Sequence, residues 1–181
     1  NKIVEASIKS LTSIFQKIES FENTVNDQQI LPWTVVKMIL AKGKRGLLQN
    51  AVDSSSNTFL TQEKLRKIET HIFTHNKSEA LCILSIIAKK MKSNNPDIIV
   101  KIFLDQIAER NYDTNDFHLI LEVIRNWIEA FSVNSRTQMT LKMTEVLERG
   151  ECPISIVGHL YECCTLTRST LQKNADNLQK F

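Results

Sequence analysis

The sequence predicts an all-α chain, an α-solenoid built from stacked antiparallel helix pairs. Three observations lead there. Apolar residues recur at spacings of three and four along almost the whole chain. Only four Gly and three Pro interrupt its 181 residues, far too few for a turn-rich β protein. The expected helix starts themselves recur at a steady interval.

The first helix is expected over residues 2–21, where Val4, Ile8, Leu11, Phe15 and Ile18 share one face. Residues 23–29 are polar and break it. Pro32 suits a first helical turn because it lacks the amide that would be orphaned there. Trp33, Val36, Met38, Ile39 and Leu40 then build a buried helix, stopped at residues 42–46, with a short further turn at Leu47, Leu48, Ala51 and Val52. Residues 53–57 form the most loop-like stretch. Thr61 caps the next helix, over 62–73, with Leu65, Ile68, Ile72 and Phe73 inward. Asn76 and Glu79 have capping-box spacing and open a helix to about Met91 that is too apolar to keep a polar face.

Asn95 and Pro96 start a helix through Glu109, carrying Ile98, Ile99, Ile102, Phe103 and Ile107. The next is expected over 116–131 with Leu119, Ile120, Val123, Ile124, Trp127 and Ile128 inside. Ser135 is expected to cap its successor, which holds Met139, Met143, Val146 and Leu147 and ends at Gly150. Pro153 begins the last strongly apolar helix, with Ile154, Ile156, Val157, Leu160 and Tyr161. After Leu166 the pattern thins to Leu171, Ala175 and Leu178, a tail still expected to be helical. One set of starts falls near Gln62, Pro96 and Thr137, the other near Ser78, Asp116 and Pro153. Both recur within the interval of HEAT and armadillo repeats, and the joints are short, as antiparallel neighbours require. The chain therefore reads as one helical-repeat segment: less regular over 1–60, repeats over about 61–166, and the start of a further repeat over 167–181. A chain that starts without Met and ends without a stop signal is expected to be cut from a longer protein, so targeting signals can lie outside it.

The net charge of +3 is mild and marks no nucleic-acid binder by itself. No apolar run reaches the roughly 18 residues of a membrane span. Cys82, Cys152, Cys163 and Cys164 do not form a secreted disulfide framework, which points to the cytosol or nucleus.

Motifs that carry chemistry are missing. Gly43 and Gly46 have no Lys-Ser/Thr after them, so there is no phosphate loop, and there is no Gly-x-Ser-x-Gly elbow. His71 and His75 stand four apart but lack a zincin glutamate. His159 and Cys163, with Cys152 and Cys164, are read as surface and packing residues. No catalytic residue, cofactor, metal or small-molecule substrate is expected. Basic residues are the remaining class. Lys37, Lys42, Lys44 and Arg45 gather near one expected helix end, Lys89, Lys90 and Lys92 near another, and Lys64, Arg66 and Lys67 between them. Stacked repeats can align such ends along one edge, so the first seven are candidates for non-specific contact with duplex DNA phosphates.

The stretch Ser78-Glu79-Ala80-Leu81-Cys82-Ile83-Leu84-Ser85-Ile86-Ile87-Ala88, followed by Pro96-Asp97-Ile98-Ile99, resembles repeats of the D-type HEAT subunits of condensin. Pro32-Trp33-Thr34-Val35-Val36-Lys37-Met38-Ile39-Leu40-Ala41 resembles a Trp-containing helix upstream in the same subunits. The resemblance spans residues 31–166. It implies a regulatory, non-ATPase subunit of a chromosome-condensing complex, nuclear, binding DNA and a kleisin-type chain alongside SMC ATPases. No site residue transfers with it. The DNA candidates come from the basic pattern alone. The alternative is another HEAT scaffold, a transport receptor or vesicle-coat adaptor that grips peptides. A helical enzyme domain ranks behind both.

Overall fold

A computed structural model describes residues 45–54, 61–73, 77–112 and 114–178. Among them every regular element is a helix: α1 Arg45–Ser54, α2 Gln62–His71, α3 Lys77–Ile87, α4 Asp97–Ala108, α5 Asn115–Trp127, α6 Val133–Arg149 and α7 Ile154–Leu178. The helices expected over 2–21 and from Pro32, the loop beyond residue 54, the Asn76 half of the capping box and His75 lie outside the described residues. The chain divides into two compact units, Asn1–Ile87 and Ala88–Phe181.

In the first unit, α3 packs on both α1 and α2. Residues Ala80 to Ile87 are all buried, which is why the sequence leaves α3 no polar face. Its one buried hydroxyl is satisfied: Ser85 Oγ donates to the Cys82 carbonyl (2.8 Å) and accepts from Arg45 Nη2 (2.7 Å). Leu65, Ile68 and Ile72 turn inward as expected, but Phe73 is 56% exposed, because α2 ends at His71 and Phe73 lies in the turn beyond it.

The second unit contains two hairpins. Phe103 of α4 stacks on Phe117 of α5 (centroids 5.9 Å), with Tyr112 edge-on to the same ring (5.7 Å). In the α6–α7 hairpin, Thr140 meets Thr167 (2.9 Å) and Thr144 meets Cys164 (3.6 Å). As one number rises the other falls, so the two helices run antiparallel. Between hairpins the hydrogen bonds join residues 37 to 42 apart, the longest being Cys163 with the Leu121 carbonyl. Ser135 Oγ of α6 donates to Asp97 Oδ1 of α4 (2.6 Å), 38 residues away. Arg125 of α5 bonds Glu162 of α7 (3.3 Å), 37 away. Hence α6 lies parallel to α4 and α7 parallel to α5, in two layers. The segment before α4 shows a similar spacing: Lys92 Nζ reaches Glu129 (3.2 Å, 37 apart), and Trp127 Nε1 donates to the Met91 carbonyl (2.8 Å, 36 apart).

Helix ends differ in detail from expectation. Ser132, not Ser135, caps α6: its Oγ accepts from Ser135 N (3.1 Å), which leaves the Ser135 hydroxyl free to bridge to Asp97. Asn95 caps nothing through its side chain. Its own amide donates to Ser93 Oγ (2.9 Å), and the Pro96 carbonyl accepts the first helical bond, from Ile99 N (3.0 Å). The α3 helix stops at Ile87 rather than Met91, whereas the tail expected to be helical past Leu166 is so, α7 running unbroken to Leu178. Both α4 and α6 end in a Schellman turn. Arg110 N and Asn111 N bond the Ile107 and Gln106 carbonyls (3.0 and 2.9 Å). Gly150 N and Glu151 N bond those of Leu147 and Val146 (3.2 and 3.4 Å). Each turn needs a left-handed residue, here Arg110 (φ 54°) and Gly150 (φ 62°).

On α7, Ile156 and Leu160 are buried among the five apolar residues that mark the helix in the sequence. Ile154 (93% exposed), Val157 (39%) and Tyr161 (66%) form a stripe at spacings of three and four that faces away from the packed side.

Candidate functional site

The seven basic candidates do not share one environment. Lys37, Lys42 and Lys44 lie outside the described residues. Arg45 was expected at a helix stop and instead opens α1, where its guanidinium is tied to Ser85. A cation there opposes the helix dipole, so its hydrogen bond rather than the dipole positions it. Lys89, Lys90 and Lys92 are exposed, in the turn after α3 and just beyond it. Lys89 pairs with Glu122 (3.4 Å) and Lys92 with Glu129 (3.2 Å), both carboxylates of the α5 segment. The Lys92–Glu129 pair is exposed on both sides and such a pair is worth under about 1 kcal/mol, so a phosphate can compete for Lys92, whereas Glu122 is only 18% exposed and holds Lys89 in a more sheltered pair. Between these groups Arg66 is exposed and Lys67 pairs with Glu63 of its own helix (3.5 Å).

Cys82, Cys163 and Cys164 are buried, Cys152 is half-buried and His159 is exposed. Cys163 Sγ contacts the Leu121 carbonyl (3.5 Å), whereas its neighbour Cys164 turns to Thr144, so the adjacent thiols face different helices. Burial first, then the Glu162 charge, pushes the Cys163 thiol up to about 12 from 9.0, which keeps it protonated and unreactive. Burial also raises Cys152. His159 meets His118 edge to face (5.3 Å) across the α5–α7 contact. Among the described residues no group of three or more His, Cys, Asp or Glu is placed to hold a metal ion, and no helix is long and apolar enough to cross a membrane.

A polar constellation that the sequence reading missed lies where α4 and α6 end. A cavity of about 210 Å³ is rimmed by Arg110, Lys142, Arg149, Glu145 and Glu151, with Tyr112 in its wall. Lys142 and Arg149 both hold Glu145. The Lys142 hydrogen bond and the two positive charges keep that carboxyl below its ordinary range. Arg110 and Arg149 share Glu151 Oε1 at 3.7 and 3.9 Å. Burial raises the Tyr112 hydroxyl, with Glu151 adding to the effect. The signal that could have found this cluster was the spacing of the expected helix ends: Arg110 and Gly150 close like turns at the ends of α4 and α6, which pack together.

No protein-family model, curated protein or solved structure matches this chain.

Proposed function

We propose that this chain is a non-enzymatic scaffold, a stretch of HEAT-like solenoid that holds other macromolecules on its surface. The recurring distance along the chain between contacting residues supports this reading: hydrogen bonds 36 to 42 residues apart join α4 to α6, α5 to α7 and the segment before α4 to the end of α5, the range that stacked helix pairs produce. The apolar stripe on the outer side of α7 supports it too, since stacked repeats present such a face to the next helix.

The resemblance of residues 31–166 extends the proposal to a regulatory subunit of a condensin-type complex, acting on chromosomes in the nucleus by binding a kleisin-type chain and duplex DNA. The exposed side chains of Lys89 and Lys92 support a weak, non-specific phosphate contact. A cytoplasmic peptide-gripping scaffold is the second reading, favoured by the cavity at the ends of α4 and α6.

Fluorescence anisotropy with a labelled duplex, run from low to physiological salt, tests the DNA contact, and co-purification with a kleisin-type chain tests the scaffold. Binding should fall steeply with salt. Charge reversal at Lys42, Lys44, Arg45, Lys89 and Lys90 should abolish it. Duplex binding that survives the reversal sinks the basic-edge assignment, and a chain that captures neither duplex nor kleisin sinks the condensin-type reading.

A further inference from the structure

We infer that His118 of α5 and His159 of α7 form a two-histidine site for a divalent transition metal of the zinc, nickel or copper class, which clasps the two helices together. The inference goes beyond the scaffold reading and does not depend on it.

Three observations meet at this pair. First, the imidazoles come from different helices and lie with ring centroids 5.3 Å apart and planes at 83°. Zinc binds an imidazole nitrogen at about 2.0–2.1 Å, which sets the ion roughly 3.2 Å from the ring centre. Two rings that share one ion at a tetrahedral angle therefore have centres roughly 5.2 Å apart. The fold already holds these two rings at that separation. Rotation about χ2, a broad torsion in histidine, turns a nitrogen of each ring toward a common point. Second, His159 is exposed and His118 half-buried, so an ion reaches the pair from solvent while the packing of α5 on α7 fixes both backbones. Third, the ring nitrogens are not committed elsewhere. Among the described residues neither imidazole makes a hydrogen bond to the protein.

The donors select the ion. Imidazole nitrogen suits zinc, nickel and copper, whereas magnesium and calcium take oxygen ligands. The nearby carboxylates are engaged: Glu122, one turn beyond His118, pairs with Lys89 (3.4 Å), and Glu162, one turn beyond His159, pairs with Arg125 (3.3 Å). The Cys163 thiol, four residues from His159, is turned to the Leu121 carbonyl. Two nitrogens are thus the protein's ligands, and water completes the shell. Such an ion binds the folded arrangement and stabilises it in proportion to its concentration.

The test uses the 181-residue chain without a histidine tag, titrated with zinc chloride by calorimetry and followed by thermal denaturation. Zinc should bind and raise the thermal midpoint, and magnesium should not. His118→Gln and His159→Gln should each weaken zinc binding by about ten-fold or more, because the second ligand of a chelate acts at high effective concentration. His159 is exposed, so His159→Gln should keep the parent's circular dichroism. Cys152→Ser and His75→Gln should bind zinc like the parent. No binding at millimolar zinc, or unchanged affinity in His159→Gln, overturns the assignment. So does zinc binding that is lost instead in Cys152→Ser or His75→Gln.

Discussion

Arg110 and Gly150 solve the same backbone problem with opposite residues, and substituting each should move stability in opposite directions. Both close Schellman turns at positive φ, 54° and 62°. A side chain in the left-handed region costs about 1–2 kcal/mol through its Cβ. Arg110→Gly removes that cost. Glycine's greater freedom in the unfolded chain returns about 0.4–1 kcal/mol. The lost ion pair to Glu151, long and mostly exposed, takes back a few tenths of a kcal/mol or nothing. The net expectation is a gain of about 0.5 kcal/mol. Gly150→Ala introduces the same cost. A Cβ at Gly150 meets nothing within 4 Å, so no steric contact confuses the result. The expected loss is about 1 kcal/mol. Urea denaturation followed by circular dichroism, with both variants beside the parent chain, reads the difference. If both substitutions shift the midpoint the same way, the left-handed turns do not control the ends of α4 and α6, and the reasoning fails.

Two further outcomes follow from buried groups. Trp127 is fully buried and donates to the Met91 carbonyl at 2.8 Å, so Trp127→Phe should cost about 1–3 kcal/mol by leaving that carbonyl unpaired; a urea midpoint indistinguishable from the parent would contradict it. Cys163, raised to about 12, stays protonated in the folded chain while an unfolded chain ionises near 9.0. Its contribution to stability is therefore complete below pH 9 and lost between about pH 9 and 12. The alkaline decline should be shallower in Cys163→Ala than in the parent, and equal slopes in the two would rule the thiol out as its source.

Much of the helical order was legible because burial and period report the same thing. The α3 run from Ala80 to Ile87 has no polar side to expose, and it is buried throughout. Gly150 stops α6 where a residue without Cβ is the natural choice. The errors came where two local solutions compete. Ser132 and Ser135 can both cap α6, and the choice between them depends on Asp97, 38 residues away, which takes the Ser135 hydroxyl. Phe73 is read as inward from the sequence, and Ile154 and Tyr161 count there as part of a strongly apolar helix. Apolarity does not say whether a facing helix is present, and all three are exposed.

The basic pattern shows the same division. Composition located Lys89 and Lys92, but only folding brought Glu122 and Glu129 against them. Arg110 drew no notice in the chain because its partner Glu151 lies far along the sequence, beyond the end of α6. By itself the sequence determined the helical class, most helix positions and the interval of their recurrence, since these depend on residues three and four apart. The tertiary structure decided which cations are paired, which apolar faces stay open and where the cavity forms. Those features depend on distances between side chains some 37 residues apart, and no local pattern encodes them.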